Sequence, residues 1–250
     1  MHDQKKIMNV RTILITAIFL PFVLFGQPKP VKALLLSGGG YHDYARQVPL
    51  LVSNINHQVQ VNFEVAYNLD HLTNTLFAKN YDIVIYDVCV DEVDSTVLEN
   101  ILRTIQEGKP AVMIHCAVHS FQKSARIRDW QNCVGMRSRV HDPFQPFQTE
   151  KVDPGSIILQ GFPDHWQTSG DELYQTIEMT PDSHPLLKVK SPQDGRGHIV
   201  CWTHTYGKGR VFGTTLGHDL HTSQSPDYVL LLSRGLLWAC GRLDKGEQKD

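Results

Sequence analysis

Short apolar runs separated by turn residues predict a set of buried parallel strands. Residues 31–37, 82–87 and 110–114 are almost continuously apolar, as strands covered on both faces are. Residues 58–67 alternate between apolar and polar, which predicts a half-exposed strand. Residues 95–106 place apolar side chains three and four positions apart, which predicts an amphipathic helix. Strands that alternate with helices predict an α/β fold with a three-layer, doubly wound, mostly parallel sheet.

The second half of the chain predicts a different arrangement. Residues 197–206 and 210–216 flank the turn Gly207-Lys208-Gly209 and predict a hairpin, while residues 228–240 predict a packed apolar helix. Residues 121–147 lose clear periodicity, which is typical of a lid or binding loop. Residues 153–160 then show a strand-like pattern.

The two ends of the chain differ in composition from the domain between them. Residues 1–26 combine basic residues, about a dozen apolar residues and Gly26, as a signal peptide does; an uncleaved anchor is the alternative. We therefore expect a periplasmic or extracellular protein without a stable membrane span.

A domain follows over residues 27–243, with a charged, disordered tail over residues 244–250. Cleavage leaves 21 basic and 25 acidic residues, which argues against nucleic acid as a partner, and nothing in the pattern sets the oligomeric state.

Three histidines follow predicted strands. His42 comes after the first strand and its glycine turn, His115 after the central strand, and His218 after the last strand. Because parallel strands of a doubly wound sheet end at one edge, we expect these side chains to share a crevice. Three imidazoles with Asp171 or Glu172 could hold a divalent metal such as zinc and leave a position for substrate. The same groups could move protons or bind a sugar without metal, or be structural.

The order of motifs resembles the ThuA-like (trehalose utilisation) family, whose fold is similar to class I glutamine amidotransferases. The resemblance covers nearly the whole domain and is carried by these residues: Gly38-Gly39-Gly40-Tyr41-His42, Val112-Met113-Ile114-His115, Trp130 to Gly135 with His141, Asp171-Glu172-Leu173-Tyr174, and Trp202-Thr203-His204 through Gly207-Lys208-Gly209-Arg210-Val211-Phe212 to Leu216-Gly217-His218. It implies a flavodoxin-like sandwich that takes part in sugar metabolism.

The resemblance and the residues together suggest roles. We expect a small-molecule carbohydrate or keto-sugar as ligand, because the aromatic residues of the excursion suit stacking on sugar faces. The enzyme would be a hydrolase, lyase or isomerase, and the alternative is a non-catalytic sugar-binding or accessory domain. The candidate catalytic residues are His42, His115, Glu172 and His218. The candidate substrate-binding residues are Gly39, Gly40, Tyr41, His119, Trp130, His141, Asp171, Tyr174, Trp202 and His204.

The cysteines suggest a lesser alternative. Five are present, none in a C-x-x-C pair, and the sequence leaves their pairing open. Cys116 lies close to the position of the nucleophile in the amidotransferase fold. However, Ile114 and Val118 replace the expected glycines, and Leu220 replaces the glutamate that would orient the late histidine. A cysteine-dependent amidotransferase or hydrolase is therefore the less favoured reading.

Overall fold

A computed structural model describes residues 29–243 of the chain. The predicted signal peptide over residues 1–26 and the predicted tail over residues 244–250 lie outside the described residues. Within the described range, none of the helices combines the length and the apolar character that a membrane crossing requires.

Ten strands and five α-helices form the domain. The strands are β1 (Val31–Gly39), β2 (Val61–Ala66), β3 (Ile83–Cys89), β4 (Ala111–Ile114), β5 (Met136–His141), β6 (Glu150–Lys151), β7 (Tyr174–Met179), β8 (Ser183–Lys190), β9 (Gly197–Tyr206) and β10 (Gly209–Thr214). The helices are α1 (Tyr44–Gln58), α2 (Ser95–Gln106), α3 (Ile127–Val134), α4 (Leu220–Gln224) and α5 (Pro226–Ala239). Short 3-10 turns span Asp70–Thr73, His115–His119 and Ile157–Leu159.

Eight strands form one sheet in the order β2-β1-β3-β4-β10-β9-β8-β6. Neighbours from β2 to β10 are parallel, and those from β10 to β6 are antiparallel. Strands β5 and β7 pair separately, also antiparallel. The prediction of a mostly parallel α/β sheet is confirmed, and the parallel strands bring the ends of β1, β3, β4 and β10 to one edge.

Two apolar cores lie on the opposite faces of the large sheet. Successive residues of β1 alternate between them, with Leu35 in one core and Leu34 and Leu36 in the other. Helices α1 and α5 contribute to the first core, and α2 and α3 contribute to the second. This double burial explains why the central strands are apolar at nearly every position.

Helix ends follow the local sequence. Helix α2 begins where the Asp94 carboxylate accepts a hydrogen bond from the Thr96 amide at 2.7 Å, and it covers the predicted residues 95–106. Helix α5 begins with Pro226 after the Ser225 cap, two residues before the predicted start. Strands β9 and β10 form the predicted hairpin.

Two predictions of local structure are wrong, and the bounds of a third differ. The predicted half-exposed strand over residues 58–67 is present as β2, but it begins at Val61 because helix α1 continues to Gln58. Residues 153–160 form a turn and a 3-10 turn rather than a strand, since the buried side chains Ile158 and Leu159 pack against the first core. Residues 121–147 contain helix α3 and strand β5 rather than an irregular loop.

Candidate functional site

A cavity of about 260 Å³ opens where the parallel strands end. Most of the residues that line it carry polar side chains, and several of these can titrate or bind a metal. The lining residues are Tyr41, His42, Cys89, Asp91, Cys116, His119, Gln122, Arg139, His141, Glu172, Tyr174 and His218. This position at the carboxyl edge is where ligands bind in open α/β sheets.

Three histidines that are far apart in sequence converge at this edge. The ring of His42 lies 4.9 Å from the ring of His115 and 4.9 Å from that of His218, and the last two are 5.4 Å apart, measured between centroids. One nitrogen of each ring lies within 4.8 Å of the others. The predicted convergence is therefore present.

His115 stands at the sharp turn between β4 and the following 3-10 turn. Its backbone φ is 46°, in the left-handed region that side-chain-bearing residues seldom adopt. Its Nδ1 donates to the Thr215 carbonyl at 2.7 Å, which leaves the Nε2 lone pair free to accept or to bind a metal. Burial lowers the pKa of His115 to about 3, so the ring is neutral at pH 7.

Glu172 lies among the imidazoles. Its carboxylate oxygens lie 3.4 Å from His218 Nδ1, 3.6 Å from His115 Nε2 and 3.7 Å from His141 Nε2. Although burial opposes ionisation, His218 and the other two histidines lower the pKa of Glu172 to about 2. The carboxylate in turn raises the pKa of His218. Glu172 is therefore ionised at neutral pH, and its charge favours the protonated form of His218.

Aromatic rings form the adjoining wall. His119 stacks on Tyr174 with ring centroids 3.8 Å apart, and the ring of His141 lies 5.7 Å from that of Tyr174. The Tyr174 hydroxyl donates to His115 Nε2 over 3.5 Å. The ring of Phe144, about half exposed, lies 5.0 Å from that of His218. Tyr174 itself is 1% exposed, so His119, His141 and Phe144 are the rings that a ligand could reach beside the polar cluster, as in sugar-binding sites.

Asp171 lies behind the cavity rather than in its wall, with no exposed surface. Its oxygens accept from the amides of Gly217 at 2.9 Å, His218 at 3.3 Å and Glu172 at 2.9 Å. The Thr222 hydroxyl also donates to an Asp171 carboxylate oxygen, at 3.2 Å. Asp171 therefore cannot contact a ligand, contrary to its expected substrate-binding role, and it instead fixes the segments that carry His218 and Glu172.

Three further candidates also lie away from the ligand space. Trp130 and Trp202 are fully buried, and their indole nitrogens donate to the carbonyls of Ala117 and Val134, both at 2.9 Å. His204 is 4% exposed and bonds to Thr180, Ser183 and Asn132. Burial of the aromatic rings and hydrogen bonding of the core histidine explain these departures from the predicted contacts.

Gly39 is exposed at the end of β1. It lies against the Cys89 carbonyl, with which a Cβ at this position would collide.

Gly40 and Tyr41 lie at the rim. A Cβ on Gly40 would meet no atom within 4 Å, and Tyr41 is 64% exposed with its hydroxyl donating to Asp91 at 3.4 Å. Both remain available to a ligand that enters from solvent.

Cys116 is bonded to Cys89 in a disulfide with Cα atoms 5.1 Å apart. The left-handed elbow residue, where the fold's nucleophile would stand, is His115 and not Cys116. A cysteine nucleophile is therefore absent from the elbow. Cys89 is not among the predicted site residues, although it follows the predicted strand 82–87 by two residues and ends β3 at the carboxyl edge.

Acid should destabilise the protein through His119. Burial, with a smaller contribution from His141, lowers the pKa of His119 from 6.5 to about 4. As pH falls from 6.5 to 4, the unfolded chain takes up a proton that the folded protein does not, so stability is lost in that window. We expect His119→Gln to remove up to about 3 kcal/mol of this loss, measured by urea unfolding at pH 7 and pH 4.5.

The matched control for His119 is His184→Gln, since the side chain of His184 is 62% exposed. The control should leave the acid-induced loss of stability unchanged. An equal loss in wild type and His119→Gln would contradict the expectation.

An open α/β sheet with a histidine-lined cavity at the ends of its parallel strands defines a class of ligand-binding or catalytic domains. The family model ThuA, described as trehalose utilisation, matches residues 32–239, and the chain belongs to this family. No curated protein matches the chain in sequence.

Solved structures share the fold at low identity. A putative ThuA-like protein from Parabacteroides merdae is 20% identical with a TM-score of 0.74, covering 89% of this chain and 93% of that one. A putative ThuA-like protein from Bacteroides uniformis is 16% identical with a TM-score of 0.70, covering 86% and 95%. A β-galactosidase from Rahnella sp. R3 is 16% identical with a TM-score of 0.59, covering 83% of this chain and 31% of the enzyme.

Proposed function

We propose that this protein is an exported enzyme that acts on a carbohydrate or keto-sugar derivative in the cavity at the carboxyl edge. Its three-layer, flavodoxin-like sandwich holds a divalent metal such as zinc on His42, His115 and His218, beside the carboxylate of Glu172. The observation that carries the proposal is the convergence of three imidazoles within 4.8 Å of one another beside an ionised carboxylate.

The state of the histidines suits metal binding. Burial lowers the pKa of His42 to about 4 and that of His115 to about 3, so both rings offer lone pairs at pH 7. The Thr215 carbonyl fixes the tautomer of His115, as outer hydrogen-bond partners do in metal sites. Zinc–nitrogen bonds of about 2.0 Å place two tetrahedral ligand atoms about 3.3 Å apart. The ring nitrogens now lie within 4.8 Å of one another, and modest side-chain rotation would bring them to that distance.

The neighbouring groups suit chemistry on a keto-sugar. A bound cation would polarise a carbonyl oxygen and acidify the adjacent C–H. Glu172 lies within 4 Å of His115 and His218, where it could accept that proton. The rings of Phe144 and of His119, which stacks on the buried Tyr174, could support a sugar ring. Membership of a family described as trehalose utilisation supports a sugar as the ligand.

A metal-free acid–base mechanism is the second candidate. Glu172 raises the pKa of His218, whereas burial lowers that of His115, so the first ring could donate a proton and the second could accept one. Elemental analysis of purified protein separates the two mechanisms: bound metal supports the first, and full activity of metal-free protein supports the second.

The substrate class is tested by thermal-shift screening of zinc-loaded protein against sugars and 3-keto-sugars. A true ligand at about 100 times its Kd stabilises the folded state by about 2.7 kcal/mol. We expect a sugar or keto-sugar to do so, and product analysis by mass spectrometry to show turnover by wild type but not by Glu172→Gln.

Glu99→Gln is the control, because Glu99 lies on α2 at the surface and pairs with Arg126. This variant should retain both binding and turnover. Stabilisation by a sugar without turnover supports the non-catalytic binding domain instead. Stabilisation by amino acids or nucleotides alone contradicts the proposal.

A further inference from the structure

A pair of cysteines forms part of the cavity wall. Cys89 ends β3 and Cys116 follows β4, and the parallel pairing of these strands brings their ends together. Cys89 is 7% exposed and Cys116 is 6% exposed, and both line the cavity. All five cysteines lie in the described residues, and the other three, Cys133, Cys201 and Cys240, are free thiols away from the cavity lining.

His42 lies between this pair and the other histidines. A ring nitrogen of His42 and the two sulfurs lie within 4.8 Å of one another, and a ring nitrogen of His42 is also within 4.8 Å of His115 and His218. Its Nε2 is buried and has no hydrogen-bond partner within residues 29–243. A buried nitrogen without a partner carries a cost that a bound ligand would remove.

The geometry points to a second metal site, formed by the thiolates of Cys89 and Cys116 with His42, that exists only when the disulfide is reduced. Zinc–sulfur bonds of about 2.3 Å and zinc–nitrogen bonds of about 2.0 Å separate such ligands by about 3.5 to 4 Å, which small side-chain rotations reach from the present positions. Two thiolates and one imidazole favour a soft or borderline cation such as Zn²⁺, with a cavity water as the fourth ligand.

Formation of this site requires a dithiol or phosphine reductant. A dithiol supplies two electrons and two protons to the Cys89–Cys116 bond, yields two thiols and becomes a disulfide itself. Cation binding then releases both thiol protons to solvent. A phosphine achieves the same reduction with water as the oxygen donor and ends as a phosphine oxide.

The two metal sites compete for one side chain. With the disulfide intact, His42 is available to the site with His115 and His218. When the cysteine pair is reduced and holds a metal ion, His42 binds that ion. The other site then retains only His115 and His218 as histidine ligands. This regulatory consequence rests on the proposed function through His42, whereas the thiolate site itself does not.

Cobalt(II) is a probe that reports on thiolate ligands. Full-length protein is titrated with Co²⁺ before and after reduction with a phosphine that is then removed, and free thiols are counted in each state. We expect a near-ultraviolet sulfur-to-cobalt charge-transfer band only in the reduced protein. We also expect Zn²⁺ to bind reduced wild type at least about tenfold more tightly than the Cys89→Ser/Cys116→Ser variant.

Two variants distinguish the possible failures. Cys240→Ser should leave the band unchanged. His115→Asn should keep the band while it removes a ligand of the tri-histidine site, so failure of the proposed function leaves this result intact. Near-ultraviolet circular dichroism checks that each variant is folded, and Cys89→Ala/Cys116→Ala replaces the serine variant if that one is not.

Three results overturn the inference. The first is a reduced, folded protein with two additional thiols and no charge-transfer band. The second is a band that survives replacement of both cysteines. The third is a disulfide that stays intact in folded protein under excess reductant.

Discussion

Replacing His115 with asparagine is expected to weaken Zn²⁺ binding by about 100-fold or more. His115 is the buried member of the tri-histidine cluster, and its Nε2 is left free because Nδ1 donates to Thr215. Loss of an outer partner of a metal ligand already costs 10- to 100-fold, so loss of the ligand itself should cost at least as much. Competition with a chromophoric chelator, on oxidised protein, measures the affinity.

Asparagine is chosen because His115 has a left-handed backbone. Asparagine tolerates this region better than alanine, so the variant should fold while it loses the imidazole. His184→Asn, at an exposed histidine paired with Asp153, is the matched control and should bind zinc as wild type does.

The three ligand losses should also be non-additive. Once one imidazole is gone, the other two hold the ion poorly, so a second substitution at His42 or His218 adds little. Unchanged zinc affinity in His115→Asn would exclude this histidine as a ligand. Additive losses at all three positions would show that the residues do not bind one ion.

Replacing Asp171 with asparagine is expected to lower the free energy of unfolding by about 3 kcal/mol. The buried carboxylate accepts from three backbone amides and lies beside the Thr222 hydroxyl. The amide NH2 of asparagine would replace one carboxylate oxygen and would face the donors that this oxygen accepts, and a buried donor without an acceptor costs about 1 to 3 kcal/mol. Urea unfolding measures the change.

Asp87→Asn is the control for the same change of acid to amide. Asp87 is also buried, and burial raises the pKa of both carboxyl groups to about 7, but among the described residues Asp87 accepts only from the Ser37 hydroxyl, at 3.3 Å. A neutral amide should therefore cost little there, below about 1 kcal/mol. Equal losses in the two variants would show that burial, rather than the hydrogen bonds of Asp171, sets the cost.

The histidine cluster could be predicted from sequence because each of its members follows the end of a strand. A parallel strand that is apolar throughout can be located in the sequence, and the topology of the sheet brings the carboxyl ends of separate strands together. The same rule applies to Cys89, which ends β3. Its pairing with Cys116 could not be predicted from a short C-x-x-C spacing, because the two cysteines are 27 residues apart.

The contacts of aromatic residues could not be predicted in this way. Trp202 lies on β9, which has a neighbouring strand on each side, and Trp130 lies on the buried face of α3. Burial of these rings depends on which elements cover them, and that information is in the tertiary fold rather than in local spacing. Helix α3 was missed for a related reason, since its eight residues give too short a stretch for periodicity to show.

The Cys89–Cys116 bond also closes a loop of 27 residues around the crossover helix α2. In a chain-entropy description, such a closure removes freedom from the unfolded chain and stabilises the fold by about 3 to 4 kcal/mol. Reduction would return that freedom to the unfolded chain. An ion held by the same two sulfurs would close the same loop, so the cation would act as a replaceable cross-link between the ends of β3 and β4.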